Sequence, residues 1–250
     1  MHLVLVRHGQ SIWNKEERFT GWTDIDLTGE GIDQARRAAR LLRDAGLAEP
    51  QVVYTSMLKR AIRTAWTMLD ELDRLWVPVH THWRLNERHY GGLEGHHWNE
   101  VIRQRGQAWW DEWRRDYSLR PDALPPSDER HPRHDPRYRH VPGEELRGGE
   151  SVHDMMARIA PVWHGEILPA LAAGRPVLVA VHGIAIRALD EMIRASAGEG
   201  GGERMREIPN AAPVVYRWRD GRVDPASRRV LLPPAAAAAK VAPGGPDGSE

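Results

Sequence analysis

Short apolar runs alternate with amphipathic segments over most of this chain. Continuous apolar stretches and one alternating stretch predict strands at 2–7, 52–55, 76–83 and 177–181. Apolar residues three or four apart predict helices at about 28–46, 56–72, 151–173 and 184–196. Thr28 and Ser56 are the expected N-caps of the first two helices. This alternation predicts an α/β fold with a mostly parallel central sheet and helices on both faces.

The segment 85–150 interrupts this alternation. It contains one aromatic helix candidate at 101–117 and a stretch at 119–147 that is rich in proline, histidine and arginine. Because a long irregular segment inside a compact domain is usually functional, we predict an insertion that covers the site as a lid. Residues 1–231 are expected to form one catalytic domain. The alanine-, proline- and glycine-rich residues 232–250 are expected to form a flexible C-terminal tail.

The composition indicates a globular protein without a strong overall field. Of 250 residues, 41% are hydrophobic and 28% charged, and the formal net charge is zero, which predicts binding to neither nucleic acid nor membranes. The chain has no cysteine, which excludes disulfides and thiolate metal sites. With no secretory signal and no apolar run of membrane-spanning length, we expect a cytoplasmic enzyme. Nearly all its positive charge is arginine, which binds phosphate bidentately.

Two predicted strands deliver a histidine at their carboxyl ends. His8 follows the strand at 2–7 and His182 follows the strand at 177–181, and a glycine comes directly after each. Because ligands bind outside the carboxyl ends of parallel strands, we expect a site between the two imidazoles. His8 is the candidate nucleophile, since a neutral imidazole attacks phosphorus without first losing a proton. Arg7 beside it indicates phosphate chemistry.

Three further side chains complete a candidate phosphoryl-transfer site. Arg60 lies in the first turns of the helix after strand 52–55, His182 can donate to phosphoryl oxygens, and Glu87 is the leading acid/base candidate. Each also has an ordinary interpretation. Arg60 could be a cation on a helix surface, and Glu87 could form a solvated ion pair with Arg88.

Several motifs resemble the cofactor-dependent phosphoglycerate mutase branch of the histidine phosphatase superfamily. They lie at 6–14, 18–24, 54–64, 83–93, 113–115, 149–151 and 182–183, so that the resemblance covers about residues 1–220. It implies a ping-pong interconversion of 2- and 3-phosphoglycerate, in glycolysis and gluconeogenesis, primed by 2,3-bisphosphoglycerate. His8 would carry the phosphate, Arg7, Arg60 and His182 would hold it, and Glu87 would be the acid/base.

The resemblance also implies a substrate shell, no metal and a homodimer. The implied substrate-binding residues are Ser11, Asn14, Thr20, Gly21, Arg88, His89, Tyr90, Arg114, Arg115, Gly183 and Ile184. Three departures from the family pattern involve four positions. Trp98 replaces a usual lysine, Ile184 an asparagine, and Asn210-Ala211 a Thr-Gly pair.

Other functions compete with this interpretation. A phosphatase of the same superfamily would hydrolyse phosphorylated His8 with water, and a catalytically weakened homologue would only bind phosphorylated ligands. Tryptophans interleaved with arginines at 103–120 could stack nucleic-acid bases, although the acidic residues among them argue against it. The pairs His80/His82 and His96/His97 are weak metal sites, because further ligands are missing nearby.

Overall fold

A computed structural model describes residues 1–199 and 208–233, which form one six-stranded sheet flanked by helices. The strands are β1 (His2–Arg7), β2 (Val52–Thr55), β3 (Val79–Thr81), β4 (Val177–Val181), β5 (Pro213–Arg219) and β6 (Arg222–Val230). Their order is β3-β2-β4-β1-β5-β6. The first four strands are parallel, whereas β5 runs antiparallel to β1 and β6 antiparallel to β5. The predicted α/β fold with a mostly parallel sheet is confirmed.

The helices occupy both faces of the sheet, as the sequence predicts. They are α1 (Ile12–Lys15), α2 (Gly29–Asp44), α3 (Lys59–Glu71), α4 (Trp98–Arg105), α5 (Gln107–Arg115), α6 (Val152–Val162), α7 (Leu168–Ala172) and α8 (Gly183–Ala195). Alternate residues of a strand face opposite sides. Leu3 and Leu5 of β1 therefore pack with α6, α7 and α8, and Val4 and Val6 pack with α2 and α3.

Several predicted boundaries need correction. The strand expected at 76–83 is only Val79–Thr81, because residues 74–77 form a turn in which the amide of Val77 donates to the carbonyl of Arg74. The helix expected at 101–117 is two helices, separated by Gly106 with a φ of 90°. The helix expected at 151–173 contains a π-helical turn at Trp163–Ile167. Prolines at 161 and 169 lack the amide that would continue its α-helical hydrogen bonds.

One of the two predicted N-caps is wrong. Thr28 caps α2, since its hydroxyl accepts from the amide of Gly31 at 3.0 Å. The residue that caps α3 is Leu58, without a side-chain hydrogen bond, and not Ser56. Ser56 lies two residues earlier and its hydroxyl turns toward His182. The hydroxyl of Ser56 thus contacts both His182 and the amide of the N-cap residue Leu58, without being the cap itself.

The antiparallel hairpin β5–β6 is not among the strands predicted from the sequence. Its two-residue turn is Asp220-Gly221, with φ values of 50° and 74°. Asp-Gly is among the strongest short-range signals of a hairpin, because both turn residues need a positive φ. This dipeptide could have predicted the hairpin. Residues 234–250, most of the expected tail, lie outside the described residues.

The segment 85–150 packs firmly against the rest of the protein. One buried aromatic cluster joins Phe19 to Tyr90, Trp98, Trp110 and Trp113. A second cluster joins Trp22 and Trp83 to the apolar side chains Tyr138, Val141 and Leu146. The long irregular part is thus anchored by its own large side chains.

The turn after β1 rests directly on the start of α2, and this close approach can be tested with two glycines of that helix. A Cβ on Gly31 would come within 2.1 Å of the carbonyl oxygen of Gln10, whereas a Cβ on Gly29 would meet nothing within 4 Å. We expect Gly31→Ala to lower the free energy of unfolding by about 1–3 kcal/mol, because the backbone must shift. Gly29→Ala should be neutral or stabilise by up to about 1 kcal/mol. Urea unfolding of both variants measures this, and equal stability would contradict the packing described.

Candidate active site

Two histidines meet at the centre of the sheet because their strands are neighbours. The register pairs Arg7 with Val181, and the amide of His8 donates to the carbonyl of Val181 at 2.8 Å. The rings of His8 and His182 have centroids 5.1 Å apart at an interplanar angle of 63°. Both side chains are buried. The predicted pair at the strand ends is therefore brought together.

The hydrogen bonds of His8 define which ring nitrogen carries the proton and which carries the lone pair. Nδ1 lies 2.7 Å from the carbonyl oxygen of Gly9, which can only accept, so the proton of the neutral ring lies on Nδ1. Nε2 then carries the lone pair, and Nε–H of Arg60 donates to it at 3.3 Å. Burial and the charges of Arg60 and Arg7 hold the pKa of His8 well below its usual value. The ring is therefore kept neutral.

The two ring nitrogens of His182 have different surroundings. Its Nε2 lies 2.8 Å from Oγ of Ser56, and that oxygen accepts from the amide of Leu58. A hydroxyl has one hydrogen and two lone pairs, so Ser56 can donate to Nε2, with the ring proton on Nδ1, or accept from Nε2–H. Nδ1 of His182 is buried and has no hydrogen-bond partner among the described residues. Burial and Arg60 lower its pKa as well. Residue patterns gave no signal for Ser56 in this role.

Two buried arginines supply positive charge around the histidines. Arg60 donates to the carbonyls of Gly21 at 2.7 Å and Thr23 at 3.0 Å, and Arg7 donates to the carbonyl of Ile208 at 3.1 Å. Both side chains are 1% exposed. Arg60 is therefore not a cation on a helix surface, which was its ordinary interpretation. Backbone carbonyls fix the two guanidinium groups in place.

Glu87 lies at the amino-terminal end of α8. Its Oε2 accepts from the amide of Ile184 at 3.3 Å, and its Oε1 accepts from the amide of Arg88 at 2.8 Å. The side chain is buried, so that a solvated ion pair does not describe it. The guanidinium of Arg88 instead donates to the carbonyls of Glu150 and Leu119. The carboxylate is thus bound by the amide of a residue that follows His182 by two positions in the chain.

A buried ion pair supports the irregular backbone segment that carries Glu87. Arg158 of α6 binds Glu150 through two hydrogen bonds of 2.6 and 2.8 Å. The same guanidinium donates to the carbonyls of Trp83, Arg84, Asn86 and Glu87. This side chain was missed in the sequence, because an arginine in a helix is usually a surface residue.

The first group of predicted substrate residues surrounds the backbone of His8. Ser11 and Asn14 are buried and form a capping box around α1. Asn210 donates to the carbonyl of His8 at 3.0 Å and to Oδ1 of Asn14 at 3.4 Å. Thr20 is buried beside Gly21, whose carbonyl binds Arg60. Asn210, noted in the sequence only as a departure from the family, is thus part of this network.

The second group lies around the start of α8. Arg88, Tyr90 and Arg114 line one cavity with Ile184, and Gly183 is the first residue of α8. His89 is buried, and its Nδ1 accepts from the amide of Gly91 at 3.0 Å. Arg115 is exposed on α5, where its Nε donates to the carbonyl of Asp111. Arg187, which the sequence analysis did not single out, lines the same cavity as Ile184.

The departures from the family pattern have definite places. Trp98 is buried in the aromatic cluster with Phe19 and Tyr90. Ala211 has a φ of 53°, a conformation that glycine adopts without strain, and its amide donates to the carbonyl of Arg7. Ile184 keeps its amide on Glu87. The backbone contacts at these positions are made whatever the side chain.

The described residues contain neither a membrane-spanning helix nor a cluster of metal ligands. In residues 1–199 and 208–233, no helix combines the length and apolar character needed to cross a membrane. Within the same ranges, no three histidine, aspartate or glutamate side chains are grouped so that they could hold a metal ion.

Comparison with known proteins agrees with this geometry. Residues 3–133 match the model of the histidine phosphatase superfamily (branch 1). The chain belongs to this superfamily. It is 48% identical to a 2,3-bisphosphoglycerate-dependent phosphoglycerate mutase of Nitratidesulfovibrio vulgaris (strain DP4), over 94% of this chain and 92% of the relative. A protein of the same name from strain DSM 19637 / Miyazaki F is 47% identical, over 96% and 95%.

A solved structure shows the same architecture. The mycobacterial glucosyl-3-phosphoglycerate phosphatase in complex with VO3 has a TM-score of 0.64 and 27% sequence identity, over 89% of this chain and 96% of that chain. A phosphatase and mutases therefore share this fold, and the site must decide between them.

The lowered pKa values of the two histidines predict a loss of stability in acid. The unfolded chain takes up protons as the pH falls below about 6.5, whereas the buried rings of His8 and His182 do not. Each buried ring should then lower the free energy of unfolding by up to about 1.4 kcal/mol for each pH unit below that point, until the pH reaches the lowered pKa of the ring.

Denaturant unfolding at pH 7.5, 6.5 and 5.5 measures this dependence. We expect His8→Asn to lose less stability between pH 6.5 and 5.5 than the wild type, because one of the buried rings is gone. The same change at the exposed His164 should keep the wild-type dependence. Identical pH profiles for wild type and His8→Asn would show that the His8 ring is not held neutral by folding.

Proposed function

We propose that this protein interconverts 2-phosphoglycerate and 3-phosphoglycerate through a phosphorylated His8, with 2,3-bisphosphoglycerate as primer. The observation that carries the proposal is the lone pair on Nε2 of His8, held beside Arg60 and His182 in a buried site. Relatives named 2,3-bisphosphoglycerate-dependent phosphoglycerate mutase at 47–48% identity over nearly the whole chain support the choice of substrate.

The residues of the site can account for both halves of the transfer. Nε2 of His8 forms a bond to phosphorus while the bond from phosphorus to the leaving oxygen breaks, and a protonated Glu87 gives that oxygen its proton. In the second half the acceptor hydroxyl returns a proton to Glu87, attacks phosphorus and releases His8. Arg7, Arg60 and Nδ1–H of His182 stabilise the charge on the transferring oxygens.

The primer fits the groups that the site offers. When bound, 2,3-bisphosphoglycerate supplies the phosphoryl group that converts His8 to its phosphorylated form. Nδ1 of His182 is buried without a partner among the described residues, and in the tautomer that carries its proton there it would donate to a phosphoryl oxygen. The fixed guanidinium groups of Arg7 and Arg60 provide the positive charge that a metal gives in other phosphoryl-transfer sites, so the proposal needs no metal.

The surrounding shell would bind the rest of the substrate. We assign this role to the residues Ser11, Asn14, Thr20, Gly21, Arg88, His89, Tyr90, Arg114, Arg115, Gly183 and Ile184. Residues 85–150 would cover the site and exclude water, which favours transfer over hydrolysis. The proposed setting is a cytoplasmic enzyme of glycolysis and gluconeogenesis that acts on small phosphorylated acids.

An assay with 3-phosphoglycerate tests the reaction. We expect the wild type to form 2-phosphoglycerate, faster with 2,3-bisphosphoglycerate than without it. His8→Ala should lower the rate by on the order of 10³-fold or more, because no other side chain replaces the nucleophile. Gly29→Ala, which meets no neighbour, is the control for handling and folding. Unchanged activity in His8→Ala would overturn the mechanism.

The same assay separates the mutase from a phosphatase. The solved phosphatase of similar fold and the replacement of a lysine by Trp98 are the observations that favour hydrolysis. Phosphate release without 2-phosphoglycerate would establish the phosphatase instead. A wild-type protein that gains no phosphoryl group by intact mass after incubation with 2,3-bisphosphoglycerate would be a binding protein only.

We also propose that the protein is a homodimer. Trp76, Leu75 and Trp66 are 73%, 50% and 42% exposed, and they lie on α3 or on the loop between α3 and the edge strand β3. Large apolar side chains exposed beside a sheet edge are typical of a contact surface.

Light scattering tests the dimer. We expect the wild type to have twice the mass of one chain, and the double variant Leu75→Glu/Trp76→Glu to be a folded monomer, because two buried charges would oppose association. Arg36→Glu on the exposed face of α2 should remain dimeric. A monomeric wild type would refute the proposal.

A further inference from the structure

We infer that Arg187 of α8 is a specificity-determining residue, which binds the carboxylate at the end of the substrate remote from the transferring phosphoryl group. The inference rests on the proposed function for the identity of the substrate. Arg187 lines the cavity at the amino-terminal part of α8, together with Arg88, Arg114, Tyr90, Tyr117 and Ile184.

The helix places Arg187 one turn from the reaction centre. Ile184 and Arg187 are three residues apart, so they lie on the same face of α8, and both line the cavity. The amide of Ile184 binds Glu87, and His182 immediately precedes α8. A small molecule with its phosphoryl group at His8 would therefore extend along this face toward Arg187.

The hydrogen bonding of Arg187 indicates a missing acceptor. Its Nε is buried and has no hydrogen-bond partner in the part of the chain that the structure describes. A buried donor of a charged group is costly to leave unsatisfied. The acid three residues further along α8, Asp190, is bound by Arg228 at 3.2 Å and by the hydroxyl of Tyr216. The carboxylate of Asp190 therefore binds residues of β5 and β6 on the sheet side of the helix.

The cavity as a whole favours an anion. Three of its lining residues are arginines, and no aspartate or glutamate is among the residues that line it. The guanidinium of Arg88 is held by two backbone carbonyls and stacks on Trp113 at 4.0 Å. Arg114 lies over the ring of Trp110 at 5.7 Å. Arg187 is the cavity arginine on α8 itself, where a carboxylate would meet a planar, charged donor.

Binding of two small anions to the whole protein tests this role without turnover. 2-Phosphoglycolate carries a phosphate and a carboxylate, whereas ethyl phosphate carries the phosphate alone. We expect Arg187→Gln to weaken binding of 2-phosphoglycolate by roughly tenfold or more, measured by calorimetry, and to change that of ethyl phosphate by less than about twofold. Arg187→Lys, which keeps the charge, should recover part of the loss.

The controls separate this inference from the proposed reaction. Arg36→Gln, an exposed arginine on α2, should bind both anions like the wild type. If Arg187→Gln binds both anions as the wild type does, or loses both equally, the inference is overturned. Should that variant unfold, Arg187→Lys alone decides, since a loss of preference for 2-phosphoglycolate supports the role and an unchanged preference contradicts it. A wild type without mutase activity that still shows this preference would refute the reaction and leave the carboxylate site standing.

Discussion

The parallel pairing of β1 with β4 is the interaction on which the site depends. Because Arg7 lies opposite Val181, the first residues beyond the two strands are His8 and His182, and their rings meet at 5.1 Å. The amide of His8 continues the hydrogen-bond ladder to Val181, so the backbone of His8 is fixed by the sheet itself. A shift of one residue would point the two side chains to opposite faces. The apolar residues of both strands, buried on both faces, oppose such a shift.

A second constraint fixes Glu87, the proposed acid/base, relative to this pair of histidines. Glu87 lies on irregular backbone, which has no strand or long helix to hold it. Arg158 provides that support. Its guanidinium donates to four backbone carbonyls between residues 83 and 87 and to the carboxylate of Glu150. An arginine buried with a carboxylate is costly unless its donors are all used, and here they are shared between an ion pair and the backbone. The network therefore favours one position of Glu87, facing the amide of Ile184.

The sequence predicted the sheet and the histidine pair because both follow from local patterns. The apolar runs 52–55 and 177–181 are buried strands with those same bounds, and the residue after a buried parallel strand faces the ligand side. Ser56, Arg158 and Arg187 could not be found in this way. Their roles depend on partners that are distant in sequence, and each residue type has a more common local use as a cap or a surface charge. The hairpin β5–β6 is different, since its Asp-Gly turn was a readable signal.

The departures from the family pattern affect the two parts of the site unequally. At Ile184 and Ala211 the contact to the reaction centre is made by a backbone amide, which accepts any residue that tolerates the local conformation. The phosphoryl-transfer centre is therefore insensitive to those side chains. Trp98 is different, because it stands where the resemblance places a lysine. Its side chain is uncharged and is buried in an aromatic cluster with Phe19 and Tyr90. In the proposed function, the charge for the remote end of the substrate would then come from the guanidinium groups of the neighbouring cavity. The position of His8 is thus set by backbone geometry, whereas we propose that the choice of substrate is set by the arginines of that cavity.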